Sequence, residues 1–340
     1  MSAKGSLSRR PQQILEAQWW AADDALRDAL GRFATQSRFE EEFINAFCEF
    51  WGVDDPEELP IDLEEETPEF LLTFEWYLHD YCESESGKRM IDLFSDVEGS
   101  RLPPLEQTLL AQWRQATLAL YEVLAVKPGA GYRVRNVLQE AAELEVDDIP
   151  TSEELKVGDL LVARLLSVGS RHRPSSVFRT FGPADLPRLK AMVAGWYADY
   201  RTDNPDASMD AFLRDEGFLF NDYALERQAL ADRLAQKAAG QPLEEHRLDD
   251  LSAEGSELKN SDRALAMLEA EYRAWLSRPS PILGNRSPLE ASRTPGERDQ
   301  MMSLLASMGQ IEASYALAGE PAFEVATLLR ELGFNPKDFE

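Results

Sequence analysis

Cysteine is nearly missing from this chain, with only Cys48 and Cys82 in 340 residues. Two thiols cannot build a disulfide framework, and a chain this long buries enough apolar surface to fold without one. Both lie among aromatic residues, which predicts buried free thiols. Histidine is scarce as well: His79, His172 and His246 are far apart. No His-x-x-x-His, His-Glu-x-x-His or Cys-x-x-Cys occurs, so neither a metal site nor a cofactor is expected. The glycine patterns that cradle phosphates are absent, as is the Gly-x-Ser-x-Gly elbow of a nucleophilic serine.

Positive charge is missing from one long stretch. Between Phe39 and Gly87 there is no Lys or Arg, against seventeen Asp and Glu. The whole chain has 35 basic and 62 acidic residues, a net charge of −27. Such a surface repels phosphate backbones and anionic lipid, so binding either needs a local basic patch. The concentrated basic stretches are Arg9-Arg10 and Arg171-His172-Arg173, with Arg179 nearby. An ordinary solvated surface accounts for them equally well. No apolar run is long enough to span a bilayer, and no apolar segment follows the basic N-terminal residues. A soluble, cytoplasmic protein is expected, with no membrane partner.

What is present is core-forming material: 44% hydrophobic residues, seven Trp and sixteen Phe. After a flexible start over 1–11, residues 12–34 carry Ile14, Leu15, Trp19, Ala22, Leu26, Leu30 and Phe33 at helical spacing. A second helix from Arg38 presents Phe39, Phe43, Phe47, Phe50 and Trp51, and Gly52 stops it. Asp54 to Glu69, with three prolines, reads as an acidic loop: a docking surface for a basic partner, or a solvated face. It lacks the residue order of a calcium loop. Pro68 opens a helix bearing Phe70, Leu71, Phe74, Leu78 and Tyr81, and Pro103-Pro104 precedes another.

At Ala119 the period changes. Leu120–Val126, Tyr132–Leu138, Leu144–Val146, Leu160–Val168 and Val177–Phe181 read as five short strands with glycine turns, which predicts a small antiparallel barrel over 117–181. Barrels of this kind often bind oligonucleotides, which makes Arg133, Arg135, Arg164, Arg171 and Arg173 the candidate contacts of a nucleic-acid-linked regulator. From Pro183 helices return: a segment over 182–240, a polar linker over 241–261 and a last helical region over 262–340. The fold class is therefore α+β, mainly α, with helical regions on both sides of the barrel. Residues 12–116 form the acidic helical domain. His79 beside Asp80, among Trp76, Tyr77 and Tyr81, is the one spot that resembles a catalytic centre, though a histidine on an aromatic helix is more often a hydrogen-bonded structural residue.

Two segments resemble known groups. Ala274-Trp275-Leu276-Ser277-Arg278-Pro279-Ser280-Pro281-Ile282-Leu283-Gly284-Asn285-Arg286-Ser287-Pro288-Leu289-Glu290-Ala291 resembles the toxin-binding domain of Xre/MbcA/ParS-type antitoxins. Residue by residue it makes sense: Trp275 and Leu276 anchor a helix end, Gly284 allows a positive-φ turn, and Asn285 tolerates the same. Ser287 is a helix cap with Pro288 behind it and Glu290 closing a capping box. Thr294-Pro295 repeats that grammar and predicts a further helix. The middle of the chain (Phe74–Tyr81, Leu120–Val123 with Pro128-Gly129, and Gly158–Arg164) is similar to bacterial proteins of the SEC-C-associated group, without the cysteine-rich SEC-C zinc motif. The resemblance implies a non-catalytic interaction protein that binds a protein partner through Trp275, Leu276, Pro281, Leu283, Gly284 and Pro288. The same pattern also suits an internal helix–turn–helix packing joint.

Overall fold

Where the apolar period shifts from three-and-four to two, at Leu118, the chain passes from helix to strand. The computed structural model describes the backbone of residues 3–61, 63, 67–176, 178–238 and 262–334, with side chains over 15–229 and 264–334 within those ranges. Five helices precede the strands: α1 (Ala3–Ala34), α2 (Glu40–Trp51), α3 (Pro68–His79), α4 (Met90–Glu98) and α5 (Pro104–Trp113). Helix α1 begins at Ala3, where a flexible segment was expected. Pro11 forfeits one backbone hydrogen bond, and the helix continues on both sides of it. Gly52 ends α2 at φ 64°, and Thr67 caps α3 by accepting the Phe70 N–H at 3.2 Å.

The stripe Ala22, Leu26, Leu30 and Phe33 of α1 packs against Ile91 and Phe94 of α4 and Leu109, Leu110 and Trp113 of α5. A second cluster joins Ala46, Phe50 and Trp51 to Trp76, Tyr77 and Tyr81. The aromatic stripes are therefore core. One expectation fails here: Cys82 is exposed and Cys48 only partly buried. Cys82 sits past the end of α3, in a bridge to Arg89, where the chain turns outward.

The β module has six strands: β1 (Leu118–Lys127), β2 (Gly131–Asn136), β3 (Leu144–Val146), β4 (Leu160–Val168), β5 (Arg171–Pro174) and β6 (Arg179–Phe181). Their order is β1-β2-β3-β5-β4-β6, and β1 also pairs with β4, so the first five close into a barrel with β6 outside. A four-residue helix, α6 (Ile149–Ser152), links β3 to β4. The order, the closure and this intervening helix are those of the OB-type Greek-key barrel. The pairing is antiparallel except between β3 and β5, which run parallel through Val146 and His172. The closing strand is thus β5, formed by the stretch that looked in sequence like a basic patch. Arg179–Phe181 only extends the sheet, and Val177 lies outside the described residues.

Strand β4 organises the molecule. Its odd-numbered Leu161, Ala163 and Leu165 fill the barrel with Ala119, Tyr121, Val123, Tyr132 and Val134. Its even-numbered residues face outward and are buried too. Leu160 and Val162 meet the C-terminal helices, and Leu166 meets α1 and α5. Burial on both faces is why the strand reads as an apolar run interrupted only by Arg164 and Ser167.

The remaining helices are α7 (Leu186–Asp203), α8 (Met209–Asp215), α9 (Leu219–Ala238), α10 (Asp262–Trp275), α11 (Pro288–Ala291), α12 (Arg298–Leu317) and α13 (Ala326–Glu331). The segments 182–240 and 262–340, separate in the sequence reading, share their cores: Ala184 and Ala191 pack with Tyr272, Leu305 and Leu329, and Tyr315 packs with Phe181, Leu189 and Phe212. The expected linker over 241–261 lies outside the described residues. Helix α12 starts at Arg298, not at Thr294-Pro295. The Thr294 hydroxyl donates back to the Glu290 carbonyl at 3.0 Å, so it caps no new helix.

Candidate functional site

The Trp275–Ala291 phrase folds as its residues predict. Gly284 and Asn285 take φ of 65° and 62°, and Ser287 and Glu290 close the capping box, with the Glu290 carboxylate accepting the Ser287 N–H at 2.8 Å. Yet Trp275, Leu276, Leu283 and Pro288 point into the core of their own chain. Pro281 is half-buried, and Gly284 is exposed at the tip of the turn. A partner approaching this joint meets Gly284, Asn285 and Arg286 rather than the apolar residues.

The five arginines are scattered by the fold, and each faces a carboxylate of its own chain. Arg133 lies 3.3 Å from Glu143, and Arg135 lies 2.7 Å from Glu122. Arg171 donates to Asp147 at 3.0 Å, and Arg173 reaches Asp23 and Asp24 at 2.6 and 2.9 Å. Arg164 is fully buried. It is the outward-facing residue of β4 between the two helical regions, and it donates to Glu75 at 2.6 Å, to Asp80 and to the Ala116 carbonyl at 2.7 Å. These pairings cancel the charge that a phosphate backbone would need.

His79 is buried beside this network. Burial, followed by the nearby Arg164, Arg27 and Arg89, lowers its pKa well below the ordinary imidazole value. Its Nδ1 has no hydrogen-bond partner among the described residues, and it lines none of the larger cavities. A neutral imidazole without access to solvent suits a packing role. No group of three metal-ligating side chains assembles among the described residues, and His246 lies outside them.

A different place has the shape of a site. Helices α7, α9, α10 and α12 line a cleft with a cavity volume of about 90 Å³. Met192 and Trp196 come from α7, Asp222, Tyr223 and Glu226 from α9, Leu268 from α10 and Tyr315 from α12. The mainly apolar and aromatic lining is of the kind found in small-molecule sites. The Tyr223 and Tyr315 rings lie nearly parallel, 6.3 Å apart.

The polar groups of this cleft divide into two sets. Arg188 is committed: its guanidinium covers the Tyr315 ring at 3.2 Å and donates to Glu312 at 3.2 Å and to the Pro321 carbonyl at 3.0 Å. Glu312 also accepts from the Tyr272 hydroxyl at 3.0 Å and the Phe323 N–H at 2.6 Å. The second set is uncommitted. The Trp196 indole N–H is buried with no hydrogen-bond partner among the described residues, whereas the Tyr315 hydroxyl lies against Tyr223 and Arg188. The Asp222 carboxyl is pushed up to about 7 by burial, with Glu226 one turn away adding repulsion. Buried polar groups in native proteins are normally satisfied, so the unpaired Trp196 N–H and the Asp222 carboxyl in one cleft mark a place for a ligand.

Comparison with known families gives one match, a family of unknown function (DUF7986), whose model covers residues 38–212, just over half of the chain. The chain belongs to this family. No curated protein and no solved structure matches it. The DUF7986 region contains the whole Glu75–Asp80–Arg164 network and the α7 wall of the cleft. Asp222, Tyr223 and Tyr315 lie beyond it, as does the Trp275–Ala291 phrase.

The cleft escaped the sequence reading because its walls are far apart along the chain, and because Met192 and Trp196 also fit a core stripe. One signal was available. Glu312 falls on the apolar face of α12, in line with Met301, Leu305 and Met308, where a carboxylate implies a buried partner.

Proposed function

We propose that this protein is a non-catalytic binding protein that takes a small, partly apolar molecule into the cleft between α7, α9, α10 and α12. The observation that carries the proposal is the unpartnered Trp196 indole N–H, buried in the wall of a cleft that also holds the Asp222 carboxyl. A hydroxyl or N–H buried without a partner costs about 1–3 kcal/mol, and a ligand that supplies the partner recovers that cost. The rings supply the apolar contact.

The test uses a neutral ring probe, 4-ethylphenol, followed by tryptophan fluorescence and by chemical-shift changes at the Trp196 indole N–H. Saturable binding is expected, together with its loss in Met192→Trp, which fills the cleft. A Trp196 resonance that does not move at millimolar concentrations of either this probe or a charged analogue overturns the proposal.

A further inference from the structure

We infer that the cleft selects an organic ammonium ion, seated with its charge at Asp222 and its apolar body against Trp196, Tyr223 and Tyr315. The inference rests on the ligand-site reading above and names the ligand's chemistry.

The charge inventory of the walls comes first. Asp222, Glu226 and Glu320 are acidic and Arg188 is the basic residue among the lining groups. Arg188 is neutralised by Glu312 and covered by the Tyr315 ring. Among the described lining groups an anionic ligand therefore meets the Asp222 carboxylate and no cation that is not already paired. A neutral ligand leaves Asp222 without a counter-charge, since no described group donates a hydrogen bond to its carboxylate. An ammonium group supplies both the opposite charge and up to three donors, and a buried carboxylate gains more from such a partner than an exposed one.

The rings add a second preference. Trp196 is the least buried of the three rings, since Arg188 already covers Tyr315, and a cation over an aromatic face is attracted by its quadrupole. The unpaired indole refines the ligand further: Trp196 Nε1–H can only donate, so the ligand carries an acceptor for it. At the scale of the whole molecule, a net charge of −27 raises the local concentration of cations and steers them inward.

Calorimetric titration of the full chain with tyramine and with 4-ethylphenol separates the two levels of the proposal. The probes share a ring and a phenolic oxygen, and only tyramine carries an ammonium. At pH 8 tyramine is expected to bind about tenfold or more tightly than 4-ethylphenol, as a desolvated ion pair with a cation–π contact would give. Asp222→Asn is expected to bring the two probes within about twofold of each other, with circular dichroism showing that the variant is folded. Equal affinity for both probes in the native chain overturns the ammonium inference and leaves the cleft as a ligand site. Tighter binding of tyramine that Asp222→Asn does not weaken overturns it as well. Binding of neither probe overturns both readings.

Discussion

Arg164 on the fourth barrel strand and Glu75 on α3 meet at 2.6 Å, with both side chains shut away from water. Asp80, one turn further along, takes the other face of the same guanidinium. The sequence shows Arg164 as the single charge in an apolar strand. The fold makes it the connection between the barrel and the acidic N-terminal helices.

Removing that arginine leaves two carboxylates buried without a cation. Arg164→Met is expected to destabilise the protein by about 3–5 kcal/mol in urea unfolding. Adding Glu75→Gln and Asp80→Asn to the same chain is expected to restore more than half of that loss. A single variant as stable as the native chain would mean that water reaches the network.

His79 and Asp222 give pH dependences of opposite sign. His79 is held neutral in the folded state, whereas the unfolded chain takes up a proton below pH 6.5. Stability from this group is complete above that pH and is lost as pH falls below it. His79→Gln is therefore expected to flatten the acid side of the stability profile. The His79 ring resonances are expected to stay in the neutral position at pH 5.5.

The carboxyl of Asp222 titrates near 7 in the folded state and near 3.8 in the unfolded one. Between those values the folded chain keeps a proton that the unfolded chain has released, so stability falls as pH rises through the window. Glu226, Glu320 and the Arg188–Glu312 pair are the other charges near the cleft. Asp222→Asn is expected to add roughly 1–3 kcal/mol at pH 8 and nothing at pH 4. Thermal melts at the two pH values measure the difference.

Much of the fold was legible because local rules and tertiary packing agree. Gly52, Pro68, Ser287 and the strand Leu160–Val168 all fall where turn chemistry and period place them. What failed to show depends on contacts distant in sequence. Arg171–Pro174 carries no strand pattern and becomes β5 because its backbone closes the ring between β3 and β4. Trp275 and Pro288 gave the right local geometry and no indication of which way they face. The cleft needs Asp222, Trp196 and Tyr315 together, and no spacing along the chain records that they meet.

Gly131 opens β2 where the backbone of β3 presses in. A Cβ built there would lie 2.0 Å from the Val146 carbonyl oxygen. Gly131→Ala is expected to cost about 1–3 kcal/mol by forcing β3 outward. Amide exchange at Val146 and His172, the pair that closes the barrel, is expected to accelerate before exchange elsewhere in it.

A smaller cavity lies between Trp76, Asp80, Arg179 and Asn221. Trp76 Nε1, Asp80 Oδ1, Arg179 Nε and Asn221 Nδ2 are each buried and unpaired among the described residues. Three donors and one acceptor around so small a space fit ordered water. A crystal structure at about 1.8 Å is expected to show one or two well-ordered waters there, and Asn221→Leu to displace at least one of them.

The packing of Tyr315 against Phe181, Leu189 and Phe212 has a consequence for how the protein can be divided. The 38–212 region contributes only one side of that cluster, and Leu219, Phe220, Tyr223 and Tyr315 supply the other. Excised by itself, the region would expose a sticky apolar wall and aggregate. By the same logic, residues 1–238 and 262–340 produced together as two chains are expected to assemble without a covalent link.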